Sequence, residues 1–296
     1  MPPRLLFVHA HPDDESSKGA ATAARYVDAG AEVVLVTCTG GEAGEVLNDK
    51  VGPVAPQDMA RVRAAELAAA VEAIGFTRTH ALGFVDSGYH EDPTGIPPGT
   101  FAAVDLDEPA RALAAILRRE RPHVVVTYPE DGGYPHPDHI RVHAVAVRAA
   151  DLAADPSADV EGPAWDVPRI VACTAFPMER VTALHEAMLE RTGESPFTEW
   201  LEKRPETPRQ ELRDPVAVRV EVGEWFARRD AALLAHATQV DPDGFWFGVP
   251  RDLEREAFPH ECFLAVRGVE PGAELTDLFD GLDVDDEAGV PSGDAG

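Results

Sequence analysis

Two short segments carry side chains that could hold a metal ion and move a proton. The first, His11-Pro12-Asp13-Asp14-Glu15, follows the apolar run Leu5-Leu6-Phe7-Val8, and the second is Gly132-Gly133-Tyr134-Pro135-His136-Pro137-Asp138-His139. Imidazole nitrogen and carboxylate oxygen are donors that zinc takes in catalytic sites, where three protein ligands leave a further position for water. His11 and Asp14 stand three residues apart, so one tight turn can aim both at a single ion, and Pro12 stiffens that turn. If Asp14 is the ligand, Asp13 is left to act as a base. Gly132 and Gly133 permit a sharp turn ahead of His136, Asp138 and His139. Two strand ends on one edge of a sheet can converge, which makes His11, Asp14 and His139 the expected ligand set.

Each segment also has a plainer explanation. Asp-Asp-Glu after a strand makes a helix N-cap with acids in the first turn, and His-Pro-Asp-His makes a turn plus cap. Both clusters together, each at a strand's end, favour a shared site. His9 either faces that site, by strand parity with His11, or is a buried hydrogen-bonded histidine, and the second is expected. His143 lies four residues after His139 without the Glu of an H-E-x-x-H arrangement, so it is expected to be structural. His80, His90, His123, His185, His236 and His260 have no spacing that compels a function, and His236, in an Ala- and Leu-rich stretch, reads as packed. Neither G-x-S-x-G nor a phosphate-loop pattern occurs, and Ser16, Ser17 and Ser87 lack a nucleophile signature.

The elements that must position these residues alternate. Apolar, β-branched runs predict strands over 4–10, 31–39, 79–84, 123–129 and 169–176. Helical patterns fall between them over 17–30, 58–75, 107–122 and 140–154, two of them closed by Gly30 and Gly75. Such alternation predicts an α/β fold: a Rossmann-like open, mostly parallel sheet with helices on both faces. Ligands bind such sheets beyond the carboxyl ends of the strands, where both histidine segments lie. The expected division is a catalytic core over 1–160, a smaller C-terminal subdomain over 161–275 packed on it, and an acidic, flexible tail over 276–296. Within the subdomain a strand is predicted at 217–222 and a helix at 224–239.

Against 53 Asp and Glu stand 26 Lys and Arg, a formal net charge of -27, which disfavours binding to nucleic-acid phosphates or anionic lipid. Cys38, Cys173 and Cys262 have no paired spacing, so no disulfide framework is expected. Without a signal-peptide pattern or a run of roughly 18 apolar residues, a cytoplasmic protein is expected.

The segments HAHPDDESSKGAAT, VTCTGGEAGEVLN, LGFVDSG, GGYPHPDHIR and RRDAALLAHATQVDP, in that order, resemble the zinc-dependent N-acetylglucosaminyl deacetylase superfamily (PIG-L/LmbE-like), and most closely its mycothiol-conjugate amidase branch. The resemblance implies one Zn²⁺ per chain, or Fe²⁺, on His11, Asp14 and His139, with Asp13 as general base. It implies that His136 stabilises an oxyanion or protonates the leaving amine, that Asp138 orients the His136 ring, and that Tyr134 assists the tetrahedral intermediate. Glu45, Arg63 and Asp86 fall at positions resembling substrate contacts. Lys18 resembles the amidase branch more than the deacetylase branch, and otherwise reads as a surface lysine. The substrate implied is a small thiol–sugar conjugate, with the precursor deacetylase, a natural-product-pathway relative and a non-catalytic sugar-binding protein as alternatives.

Overall fold

The first strand, β1 (Arg4–His9), is buried at every position, and its side chains divide between the two faces of the sheet. Leu5 and Phe7 join an apolar cluster with Val33 and Leu35 of β2 (Glu32–Thr39), while Leu6 and Val8 join another with Val34 and Val36. Strands that bury both faces read as continuous apolar runs, which is why these two were legible. The computed structural model describes residues 2–90, 92–203 and 215–284. Its strands continue with β3 (Arg78–Phe84), β4 (Val124–Thr127), β5 (Arg169–Thr174), β6 (Val218–Glu221) and β7 (His260–Arg267). They form one seven-stranded sheet in the order β3-β2-β1-β4-β5-β7-β6. The first five run parallel, and β7 is antiparallel to both β5 and β6.

Helices cover both faces. Ala70 and Ile74 of α3 (Pro56–Ile74), the alanines of α2 (Ala20–Asp28) and Phe226 of the helix Phe226–Ala235 pack on the Leu5 side. Leu113 and Leu117 of α4 (Asp107–Glu120) and Val142 and Val145 of α5 (Pro137–Ala154) pack on the Leu6 side. Strand order reverses between β1 and β4, and the two loops leaving those strands at their carboxyl ends carry the histidine segments. A crevice opens at that reversal because neighbouring connections depart to opposite faces. Among the described residues no helix is long and apolar enough to cross a membrane.

Three expectations change. The helix predicted over 17–30 is broken: a single turn, α1 (Asp14–Ser17), precedes α2, and Gly19 between them has φ +96°, with a Cβ there falling 2.6 Å from Phe7. The helix predicted from 140 begins at Pro137, so the His136-to-His139 segment is its cap and first turn. Residues 161–275, expected as a C-terminal subdomain packed on the core, contribute β6 and the unforeseen β7, which extend the main sheet through β5. The tail expected from 276 packs down at its start: Leu278 is fully buried, its N–H donates to the Tyr26 hydroxyl, and its carbonyl accepts from Arg169. Residues 285–296 lie outside the described ones.

Candidate active site

The loop after β1 turns at Asp13, whose φ of 110° is rare for a residue with a side chain. Its carbonyl accepts from the N–H groups of Ser16 and Ser17, and Asp14 Oδ2 accepts from the His11 N–H at 3.0 Å, so the turn aims Asp13 and Asp14 apart. After β4 the chain reverses through Gly132, at φ +77°. A Cβ there would lie 2.8 Å from the Tyr134 carbonyl and 2.9 Å from the His139 Cβ, so only glycine fits. His136 caps α5, its Nδ1 accepting from the Asp138 N–H at 3.2 Å, and Pro137 opens the helix.

These turns bring donors of His11, Asp14 and His139 within 4.8 Å of one another, all buried, and His11, His136 and Asp138 make a second such group. His139 Nδ1 lies 3.3 Å from the Gly132 carbonyl, which places its proton there and leaves Nε2 with a lone pair. That Nε2 is buried, has no hydrogen-bond partner and stands 3.3 Å from Asp14 Oδ1. A lone pair facing a carboxylate oxygen is unfavourable unless a cation lies between them, so the donor set fits a divalent cation. On His11, Nε2 stands 3.2 Å from Asp138 Oδ2 and 3.6 Å from Asp86 Oδ1, while Nδ1 stands 3.4 Å from Asp14 Oδ2. Burial works against a charged His11, but hydrogen bonds to Asp138, Asp14 and Asp86 outweigh it and raise the pKa well above 6.5. Asp14, despite its burial, is held well below the usual carboxylate range by His139 and Lys18.

Asp13 stands beside this cluster. Burial pushes its carboxyl up to about 6, with the Arg63 charge opposing and Asp14 adding to the rise. Arg63 donates to Asp13 Oδ2 at 2.7 Å, to the Gly41 carbonyl at 2.9 Å and to the Pro12 carbonyl. Expected to touch substrate, Arg63 is buried and fastens the Asp13 turn to the loop after β2. Burial foremost, with positive charge at the His11 and His139 cluster adding to it, pushes His136 down to about 4. The ring is therefore neutral near pH 7, and with Nδ1 accepting from backbone its Nε2 carries the hydrogen. Asp138, expected to orient the His136 ring, places its carboxylate on His11 Nε2 and the Ser87 N–H instead. Only its backbone N–H reaches His136.

A cavity of about 480 Å³ contains His11, Asp13, Asp14, Tyr134, His136 and the expected contacts Glu45, Arg63 and Asp86. Glu45 is exposed at its edge, Asp86 is buried and accepts from Ala43 and Gly88 N–H groups, and burial pushes Tyr134 up to about 12. The Lys18 ammonium donates to Asp14 Oδ1 at 2.7 Å, so its first partner is a ligand-set carboxylate. His9 is the buried, bonded histidine expected of it, 3.2 Å from the Tyr128 hydroxyl, and His143 bonds the Tyr128 carbonyl. Sequence reasoning left Glu15 and His236 without roles. Glu15 Oε2 accepts from the Asp13 N–H at 2.9 Å, and Oε1 accepts from His236 Nε2 at 2.6 Å. No local signal could have paired residues 221 positions apart.

The sequence profile of the family described as PIG-L, GlcNAc-PI de-N-acetylase, matches residues 6–150. A mycothiol S-conjugate amidase from Streptomyces coelicolor is 44% identical over 287 residues, covering 94% of this chain and 97% of that protein. A 1D-myo-inositol 2-acetamido-2-deoxy-alpha-D-glucopyranoside deacetylase from Geodermatophilus obscurus is 42% identical over 289 residues, covering 94% and 98%. In fold, the chain is similar to N,N'-diacetylchitobiose deacetylase from Pyrococcus horikoshii, with TM-score 0.59 and 17% identity over 98% of this chain and 88% of that one. Full-length likeness at this identity, on a sheet that brings the two histidine segments together, places the chain in the PIG-L, or GlcNAc-PI de-N-acetylase, family.

Proposed function

We propose that the protein is a metal-dependent amidase that hydrolyses the amide between the cysteinyl carboxyl group and glucosamine in mycothiol S-conjugates. The products are an N-acetylcysteine S-conjugate and glucosaminyl-inositol. The observation that carries this reading is the meeting of Asp13, His136, His11 and Asp14 in one cavity, with His139 buried behind it against Asp14, in a chain similar over nearly its whole length to an amidase of that name. A divalent cation on His11, Asp14 and His139, Zn²⁺ or Fe²⁺, would supply Lewis acidity toward an amide carbonyl and acidify water.

The chain's own groups supply the rest. Asp13, with its carboxyl at about 6, accepts the proton of the attacking water near neutral pH. The neutral His136 donates from Nε2 to the oxyanion that develops on the carbonyl oxygen, a hydrogen bond that strengthens as charge builds. The same Asp13 proton is available to the departing amine as the C–N bond breaks. Removal of an acetyl group from the N-acetylglucosaminyl-inositol precursor would use the same groups, and the likeness to the Geodermatophilus deacetylase favours it as the second reading.

Metal-stripped protein refilled with Zn²⁺ or Fe²⁺ distinguishes them. Cleavage of bimane-labelled mycothiol at a higher kcat/KM than acetate release from N-acetylglucosaminyl-inositol is the expected result. Efficient acetate release without cleavage of the conjugate would reverse the assignment.

A further inference from the structure

Tyr134 stands between two hollows of opposite chemistry, lining both. The one that contains Asp13 and His136 is walled by Glu45, Arg63, Asp86 and Gln239, groups that hydrogen-bond to hydroxyls. The other, about 330 Å³, is walled by Tyr128, Pro129, Ala175, Phe176 and Trp246, with Lys18 also contributing. Phe176 and Trp246 pack with ring centroids 5.8 Å apart, and Phe245, 56% exposed, continues this aromatic wall outward at 5.4 Å from Phe176.

An amide held at Asp13 and His136 has an amine side and an acyl side, and the two hollows differ as those sides differ in a thiol–sugar conjugate. We infer that the aromatic hollow receives the acyl side, and that Phe176 and Trp246 read the substituent on its sulfur. The inference rests on the amidase reading and deepens it. A polyol belongs beside polar groups such as the exposed Glu45 carboxylate and the half-buried Gln239 amide, with which hydroxyls hydrogen-bond. An apolar group on sulfur belongs among ring faces and methyls, which lose nothing by excluding water. Size agrees with this: an apolar cavity of about 150 Å³ holds a benzene ring. The hollow here, about 330 Å³, therefore has room for an acetylated cysteine bearing a ring, and far more than an acetyl group needs.

Phe176 lies just after β5 and Trp246 in the loop before the helix Arg251–Ala257, so the reading elements come from the half of the chain beyond residue 160. The Asp13 cavity, by contrast, is built chiefly from the loops after β1, β2, β3 and β4.

The test is a series of mycothiol conjugates differing only at sulfur, S-methyl against S-benzyl, assayed with the Zn²⁺-loaded full chain. The wild type should favour S-benzyl by about tenfold or more in kcat/KM. Phe176→Ala and Trp246→Ala should each reduce that ratio severalfold, with circular dichroism confirming that each variant is folded. Equal cleavage of both conjugates by the wild type, or a ratio that neither substitution moves, overturns the role of the hollow while the amidase reading stands. If neither conjugate is cleaved while acetate is still released from N-acetylglucosaminyl-inositol, the amidase reading falls and this inference falls with it. The wild-type series needs no variant, so a misfolded substitution cannot rescue the idea.

Discussion

At the scale of single residues, Asp13 is held in a backbone conformation that a side chain disfavours, with φ 110° and ψ -27°. Such a conformation costs on the order of 1–3 kcal/mol and persists only when its surroundings over-determine it. Glu15 receives its N–H, Arg63 grips its carboxylate, and His236 holds Glu15 from behind. Burial works against charge on Glu15 and His236 alike, but each is outweighed by the other, which keeps Glu15 below and His236 above its ordinary pKa. Replacing Asp13 by Ala or Gly should lower kcat by about 10² to 10⁴ while zinc remains bound. The two variants should differ in stability in an unusual direction. Both lose the Arg63 contact, but glycine also relieves the strain, so Asp13→Gly should be about 1 kcal/mol more stable than Asp13→Ala in urea melts. The ordinary order, with alanine the more stable, would show that the conformation stores no strain. The histidines and carboxylates of this site were legible from their types and spacing. Their holders were not, because a turn's local pattern does not say which distant side chain will close over it.

At the scale of elements, the helix Arg251–Ala257 is tied to its neighbours by one buried carboxylate. Glu254 receives hydrogen bonds from Arg229 of the helix Phe226–Ala235, from Arg180 of the helix Met178–Thr192, and from Arg251. Burial alone would push its carboxyl up, but the Arg229 hydrogen bonds and the charges of Arg229, Arg180 and Arg251 hold it at about 2 instead of 4.5. A depressed carboxylate stabilises the fold above its unfolded value and loses that contribution as pH falls through its folded value, here from about 4.5 down to about 2. Its loss at neutral pH is on the order of 3 kcal/mol. Wild type and Glu254→Gln should therefore differ most in urea unfolding near pH 6, and the gap should narrow as pH falls from about 4.5 towards 2. A gap that is constant with pH would mean that the charge contributes nothing. Nothing in the sequence pattern announced this network, since its four members lie on three helices whose packing depends on the sheet beneath.

At the scale of the whole molecule, the sheet is continuous from β3 to β6, and the last described segment closes onto it. Leu278 inserts beside Tyr26 of α2, and its carbonyl accepts from Arg169 at the start of β5. Leu278→Ala should cost about 2–5 kcal/mol in urea unfolding, as for a buried core leucine. The flexible tail expected from 276 would instead have shown almost no change. Sequence by itself determined the order of strands and helices through residue 154, the turn chemistry of the two histidine segments and their place at strand ends. Periodicity, glycine and proline are local, and local signals are enough for that. The tertiary structure alone decided that His11 faces Asp138, 127 positions away, that Arg63 braces Asp13, that His236 backs Glu15, and that Phe176 and Trp246 share one hollow. Those pairings follow from strand order and from which loops the reversal between β1 and β4 brings face to face. Spacing along the chain carries no record of that geometry.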